Sequence, residues 1–218
     1  MPTITAESII NKVHDVLQDA EGIQWTDQEL LGWLNDGQRD IVVLKPNAYV
    51  KNDKLKLSEG SKQTIPADGI QLIEIVRNLG TNGLTPGRVI TIIDRRMLDS
   101  INPDWHTTTS SATVDHFMFT PLDPKRFYVY PPQPSANQGY VEIVYGAYPV
   151  DATLNGVISI DDIYQNALID YILYRAFSKD SEFAADANRA NAHQAAYFAS
   201  ITGKSQAEST ASPNNRSS

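Results

Sequence analysis

Between Thr5 and Asp19, Ile9, Val13, Val16 and Leu17 recur at the three- and four-residue spacing of an amphipathic helix, with Thr5 placed to cap its start and Gly22 to end it. The next segment, Thr26-Asp27-Gln28-Glu29, has the form of a capping box, in which a hydroxyl and a carboxylate three residues apart satisfy each other's free backbone amides. Leu30, Leu34, Gly37, Ile41 and Leu44 then fall on one face of a second helix, with Trp33 beside the stripe and Pro46 closing it. These two helices are expected to pack as an antiparallel hairpin.

From Tyr49 to Tyr148 the period changes to short runs rich in Ile, Val, Tyr and Phe between Gly, Pro and Asn turns, the pattern of antiparallel strands. Strands are expected at Tyr49–Leu57, Ile70–Leu79, His116–Thr120, Arg126–Tyr130 and Tyr140–Tyr148. Gly80-Thr81-Asn82-Gly83 reads as a hairpin turn supplying positive φ. Thr91–Ser100 reads as one short helix, and the polar stretch Asn102–Thr113, with Trp105 and His106, as a long loop.

The helical period returns at Ile160. Asp161 stands as N-cap, and Ala167, Leu168, Tyr171, Ile172, Tyr174 and Phe177 nearly encircle the helix, as in an element buried by its own fold or by a neighbour. A last helix is expected over Ser181–Thr202, Ala-rich on several faces, with Phe183, Tyr197, Phe198 and Ile201 as larger anchors. After Gly203 the Ser-, Asn-, Gln- and Pro-containing tail is expected to order only when bound. The chain therefore reads as α+β: a helical bundle from N- and C-terminal helix pairs around a central antiparallel β-rich insertion. Its expected parts are 1–48, 49–159, 160–203 packing back on the first helices, and a flexible tail, 204–218.

Composition narrows the function. A hydrophobic fraction of 41% with 20% charged residues is that of an ordinary globular chain, and 218 residues suffice for one domain with appendages. The absence of cysteine removes disulfides, thiolate metal sites and thiol catalysis. A basic segment followed by an apolar run is missing at the N-terminus, as is any apolar stretch of about 18 residues, so neither secretion by a standard signal nor a membrane span is expected. The net charge of −8 argues against sequence-independent nucleic-acid binding, which needs clustered Lys and Arg. Eight acidic residues up to Leu44 (Glu7, Asp15, Asp19, Glu21, Asp27, Glu29, Asp36, Asp40) oppose only Lys12 and Arg39, placing six of the eight net charges in the first hairpin.

Candidate chemistry is sparse. His14, His106, His116 and His193 stand at no metal-ligand spacing. The pair Asp161-Asp162 is better placed as a cap at the positive end of a helix dipole than as an acid/base dyad. The Gly80–Gly83 turn lacks the ending of a phosphate loop, and Ser110 or Ser111 near His106 and Asp115 is a proximity in sequence that only geometry could turn into a triad. No catalytic, metal or cofactor residue is assigned. Trp105, Tyr128, Tyr130, Tyr145 and Tyr148 fit either strand-face packing or a protein contact.

The stretch from Trp25 through Thr26-Asp27-Gln28-Glu29-Leu30-Leu31-Gly32-Trp33-Leu34-Asn35-Asp36-Gly37-Gln38-Arg39 to Leu44-Lys45-Pro46 resembles the second helix of the head-to-tail adaptor, or connector, proteins of short-tailed phages. Phe117-Met118-Phe119-Thr120-Pro121 followed by Arg126-Phe127-Tyr128-Val129-Tyr130-Pro131-Pro132 is similar to that family's central hairpin, and the Tyr-rich closing helix pair completes a likeness spanning about Ile4 to Gly203. The resemblance implies a non-enzymatic virion protein of the neck or tail, assembled in the host cytoplasm. It implies a ring of twelve copies between portal and tail nozzle, with DNA passing through the lumen unbound and no membrane partner. It carries over no single functional residue, because the family's shared features are packing features. The tail residues Lys204, Ser205, Gln206, Ala207 and Arg216 are candidates for portal contact, and Trp105, His106, Tyr174 and Phe177 for contact between subunits. Two other readings stay open: another tail or neck structural protein, and a glycan-binding or wall-degrading module using exposed aromatics such as Trp105 or carboxylates converging in a cleft.

Overall fold

The computed structural model describes residues 2–180 and 184–211. Two units divide the chain: a helical one from 1–49 and 149–218, and a β-rich one formed by 50–148.

In the helical unit, α1 (Ala6–Leu17) is capped by the Thr5 hydroxyl, which accepts from Ser8 N, and α2 (Asp27–Leu44) by Thr26, which accepts from Glu29 N. The Glu29 carboxylate accepts from Lys179 Nζ. The closing pair is α4 (Gln165–Lys179), preceded by a 3₁₀ turn that Asp161 caps, and α5 (Ala184–Ala211). α4 is the hub, touching α1, α2 and α5. Its Ala167, Leu168, Tyr171, Ile172, Leu173 and Ala176 are buried. Tight packing of α2 on α4 rests on Gly37, where a Cβ would stand 2.9 Å from the Tyr171 ring and 3.2 Å from Leu168.

Between the β unit and α4 the chain crosses α2 as an irregular strap held by two buried amides one helical turn apart. Asn35 accepts from Ala152 N (2.8 Å) and donates to Ala152 O (3.2 Å); Gln38 accepts from Ser159 N (2.7 Å) and donates to Asn35 (3.0 Å). The N-terminus is laced to the same strap. Ala6 N donates to Gly156 O, Glu7 N to Leu154 O and Ile158 N to Ile4 O. The Asp162 carboxylate accepts from Thr3 N, the Thr3 hydroxyl and Ile4 N. Buried polar groups bonded in this way cost little and fix a single path for the strap.

The β unit contains two sheets, ordered β1-β7-β3 and β2-β6-β5-β4. Its strands are β1 (Val50–Lys56), β2 (Gly60–Thr64), β3 (Gly69–Asn78), β4 (Thr91–Ile92), β5 (His116–Phe119), β6 (Arg126–Gln133) and β7 (Tyr140–Ala147), with α3 (Arg95–Ile101) after β4. β7 is the central strand of its sheet and buries Val141, Ile143, Tyr145 and Ala147. In the other sheet Phe127 and Val129 alternate with Tyr128 and Tyr130, so β6 is covered on both faces; Met118, Leu98 and Trp105 form the cluster that Tyr128 and Tyr130 join. Buried amides again pin loops. Asn78 donates to Arg88 O and Val114 O and accepts from Val114 N, while Gln133 donates to Ser111 O and accepts from Gly139 N.

The α+β class and all five expected strands are present. Several details differ. The β4–β5 pair is parallel, although only two residues long, and β2 and β4 were not expected: β2 (Gly-Ser-Lys-Gln-Thr) has no apolar residue, and two residues of β4 carry no period. α3 starts at Arg95, four residues after the expected start, because Thr91–Ile92 is claimed by the sheet. The stretch 102–113 is a loop as expected, broken by one 3₁₀ turn at Trp105–Thr107, but it is packed down: Trp105 is fully buried and Ser111 is bonded to Pro132 and Gln133. Leu44 and Val16 are exposed, the core faces being Leu30, Leu34 and Ile41 on α2 and Ala6, Ile9, Ile10 and Val13 on α1. α5 does not stop at Gly203 but runs to Ala211, so the expected flexible tail is helical over 204–211. Gly203 interrupts a good helix-forming context at a cost of about 1 kcal/mol, too little to end a long helix. Phe183 and residues 212–218 lie outside the described residues.

Two glycines one turn apart and more on α2 should respond in opposite directions. Gly32 faces open space, whereas Gly37 meets Tyr171. Gly32→Ala should stabilise by about 0.5–1 kcal/mol through helix propensity, and Gly37→Val should destabilise by about 1–3 kcal/mol through overpacking. Thermal melts of the two variants, shifted up and down respectively, check this.

Candidate functional site

The helical unit carries the charge. Sixteen acidic residues oppose eight basic ones there, while the β unit balances ten against ten, so the whole net charge of −8 belongs to the segments 1–49 and 149–218. Most of the acids face water; several pair with side chains, as Asp36 and Asp151 do with Arg39, and Asp19 and Asp162 are tied to the backbone. Asp19 accepts from the backbone N–H groups of Ile23, Gln24 and Trp25, and these bonds, Trp25's foremost, hold its carboxyl below the usual range. Asp162 is lowered likewise by the Thr3 hydroxyl and by the backbone N–H groups of Thr3 and Ile4.

Two concavities open on this unit. The larger, about 570 Å³, lies between α2 and the strap and is lined by Leu31, Gly32, Asn35, Arg39, Asp151 and Leu154 among others. Arg39 bridges its two walls, bonding Asp36 on its own helix (3.0 Å) and Asp151 on the strap. The smaller, about 230 Å³, lies among α2, α4 and α5, with Asp40, Tyr171, Tyr174, Arg175, Gln194, Tyr197 and Phe198 at its walls. Tyr197 donates to Asp40 and Arg175 to Tyr171 (3.2 Å); burial, then the neighbouring Asp40, pushes the Tyr197 phenol far up, and burial raises Tyr171. At the other end of the bundle Lys179 stands over the rings of Trp25 and Trp33, 5.2 and 6.0 Å from their centroids.

The residues singled out in the sequence scatter over these features. Tyr174 lines the smaller concavity, half-buried. Phe177 stacks on His193 (5.7 Å between centroids), which in turn bonds Asp170. His106 is exposed, accepts or donates a 2.7 Å bond with Ser61 through Nδ1, and stacks on Trp105. Trp105 is fully buried with its indole N–H on Asp99 (2.8 Å). As a subunit contact or a glycan platform Trp105 is therefore corrected: it is a core residue of the β unit. Lys204, Ser205, Gln206 and Ala207 continue the backbone of α5, and Arg216 lies outside the described residues. Arg39, Asn35 and Gln38 were missed. Their signal was present as polar residues at three- and four-residue spacing, Asn35 and Gln38 being buried beside the apolar stripe of α2.

Among the described residues no group of three His, Cys, Asp or Glu side chains could hold a metal ion, and no helix is long and apolar enough to cross a membrane. The serine and histidine of the suggested triad do not meet: His106 pairs with Ser61, and Asp115 with Arg88.

The fold thus defines a helical bundle interrupted by a β-rich insertion, with its surface chemistry concentrated in acids and half-buried aromatics. The family model described as SU10 adaptor protein matches residues 4–217, and the chain belongs to that family. This is a family of phage adaptors, structural proteins of the virion rather than a known class of enzyme. No curated protein matches the chain.

The lowered Asp162 gives a pH signature. A carboxyl whose pKa is lower folded than unfolded stabilises the fold above its unfolded value, near 3.8, and that stability is lost as pH falls through the folded value. Asp162→Asn should therefore leave the acid limb of the stability curve shallower than in the parent protein, with the difference vanishing at the acid end; melts between neutral pH and pH 2 test it.

Proposed function

We propose that this chain is the head-to-tail adaptor of a phage particle: a ring of twelve copies that joins the portal to the tail nozzle and continues the channel through which DNA leaves, without catalysing a reaction. The observation that carries this reading is the family match over 4–217, nearly the whole chain. The helical unit supports it, since α4 and Ala-rich α5 offer half-buried aromatics, Tyr174 and Phe177, at which a neighbour can pack. Heterologous contacts of this kind close into rings when the rotation permits. His106 on the β unit is a further candidate for contact between subunits.

An acidic bundle suits a conduit, because like charge keeps DNA from adhering to a wall it must slide past. The segment 204–218, with Lys204, Ser205, Gln206, Ala207 and Arg216, is the proposed portal contact. Membrane and cofactor have no part in the proposal, and the site of action is the virion neck after assembly in the host cytoplasm. A different tail or neck position is the alternative, in which the portal would be ignored.

Mixing the purified chain with portal rings and weighing the product by mass photometry tests the proposal. A discrete gain of about a dozen subunits is expected, and no gain would move the protein elsewhere in the tail. Removing residues 204–218 should weaken that attachment while leaving the thermal melt unchanged. Undiminished attachment would release this segment from the portal role.

A further inference from the structure

α3 in the β unit presents an unusual face. Arg96, Met97, Ser100 and Ile101 lie together at helical spacing; Leu98 points into the core, yet Met97 and Ile101 are 60% and 73% exposed. The adjoining edge strand β4 exposes Ile92. Arg96 is exposed and has no ion-pair partner among the described residues, while its neighbour Arg95 reaches Asp99 at 3.5 Å. The face therefore combines large apolar side chains with the charge of Arg96, in a unit whose ten acidic and ten basic residues balance with Arg96 included.

The helical unit holds the converse. At the end of α1 the chain exposes Val16 and Ile23, 51% and 80%, interleaved with the exposed acids Asp15 and Glu21. This knob is rigid rather than a loose loop. Asp19 accepts the backbone N–H groups of Ile23, Gln24 and Trp25, Gly22 N bonds Asp19 O, and Gly22 itself adopts φ +62°. Exposed apolar side chains rimmed by charge mark protein contacts, and complementary charge fixes which surfaces meet.

We infer that the Arg96/Met97/Ile101 face of one copy docks on the Val16/Glu21/Ile23 knob of a second copy of this chain. Two different surfaces meet, so the contact is head-to-tail, the kind that propagates around a ring. The inference rests on the adaptor reading for its expectation of a ring, and its test does not need the portal.

Because the native sequence has no cysteine, one introduced thiol per chain reports a single surface. Full-length chains bearing Ile101→Cys and mass-tagged chains bearing Ile23→Cys are mixed in equal amounts and oxidised, and the disulfide-linked pairs are counted by mass. Both sites are exposed, so folding is preserved, and melts confirm it. The mixed pair should exceed the share expected from random pairing. Arg96→Glu in the first chain should return it toward random, and Glu21→Lys in the second should restore the excess. Random pairing of the parent thiols, or an excess indifferent to Arg96→Glu, overturns the contact. Chains that form the mixed pair but ignore portal rings keep this contact and lose the adaptor reading; chains that load onto portal rings but pair at random do the reverse.

Discussion

The pairing of β1 with β7 is the constraint on which the rest depends. The helical unit is built from two segments separated by the excursion from Val50 to Tyr148, and the packing of α1 and α2 on α4 requires the two ends of that excursion to lie close together. Closing a loop of this length costs about 4 kcal/mol of chain entropy. The register from Val50 opposite Gly146 to Lys56 opposite Tyr140 performs the closure in one continuous antiparallel ladder, so α2 leads into the excursion and the strap leads out of it from adjacent strands. β7 can serve because it is also paired on its other side by β3, which makes it an apolar centre strand rather than an edge.

What the ladder brings together, buried amides then hold. Asn35 and Gln38 secure the strap on α2, as Asn78 and Gln133 secure the segments around Val114 and Ser111 in the β unit. Asn35, Asn78 and Gln133 each offer a donor and an acceptor to backbone groups that belong to no helix or ladder, and Gln38 accepts from one such group while donating to Asn35. Replacing one by an apolar isostere would strand those groups at a cost of about 1–3 kcal/mol apiece. The two units thus solve the same problem, irregular backbone in a buried place, with the same amide chemistry, to which the helical unit adds the carboxylates of Asp19 and Asp162. Most acids of the helical unit lie on its surface, where they can act on a partner.

Much of this was legible in the sequence wherever one local signal decided the outcome. Thr5 and Thr26 cap the helices they were expected to cap, Asp161 caps the 3₁₀ turn that leads into α4, and the period-two runs became β1, β3, β5, β6 and β7. Signals that depend on a distant partner were not legible. β2 has no hydrophobic alternation and exists because β6 pairs with it; Trp105 fitted either packing or a protein contact, and the pocket that Leu98, Asp99 and Met118 make for it decides for packing. The buried roles of Asn35 and Gln38 are of the same kind, since their partners lie more than a hundred residues away. The absence of a catalytic motif, by contrast, left little to locate: an assembly surface is written in exposure, which a sequence does not display.

Exposure also explains why the two units divide the chemistry as they do. A structural subunit must keep its own core closed while leaving apolar side chains outside for its neighbours, two demands that pull in opposite directions during folding. Here the exposed apolar residues sit beside charges that discourage contact between identical faces: Arg96 next to Met97, Asp15 and Glu21 around Val16 and Ile23. A face of that composition repels its own copy and accepts the opposite one, so the same arrangement that suppresses isologous dimers favours head-to-tail association. Charge partition between the units then bears on assembly, with the acids around Val16 and Ile23 in the helical unit facing Arg96 on the β unit of a neighbouring copy in the proposed contact.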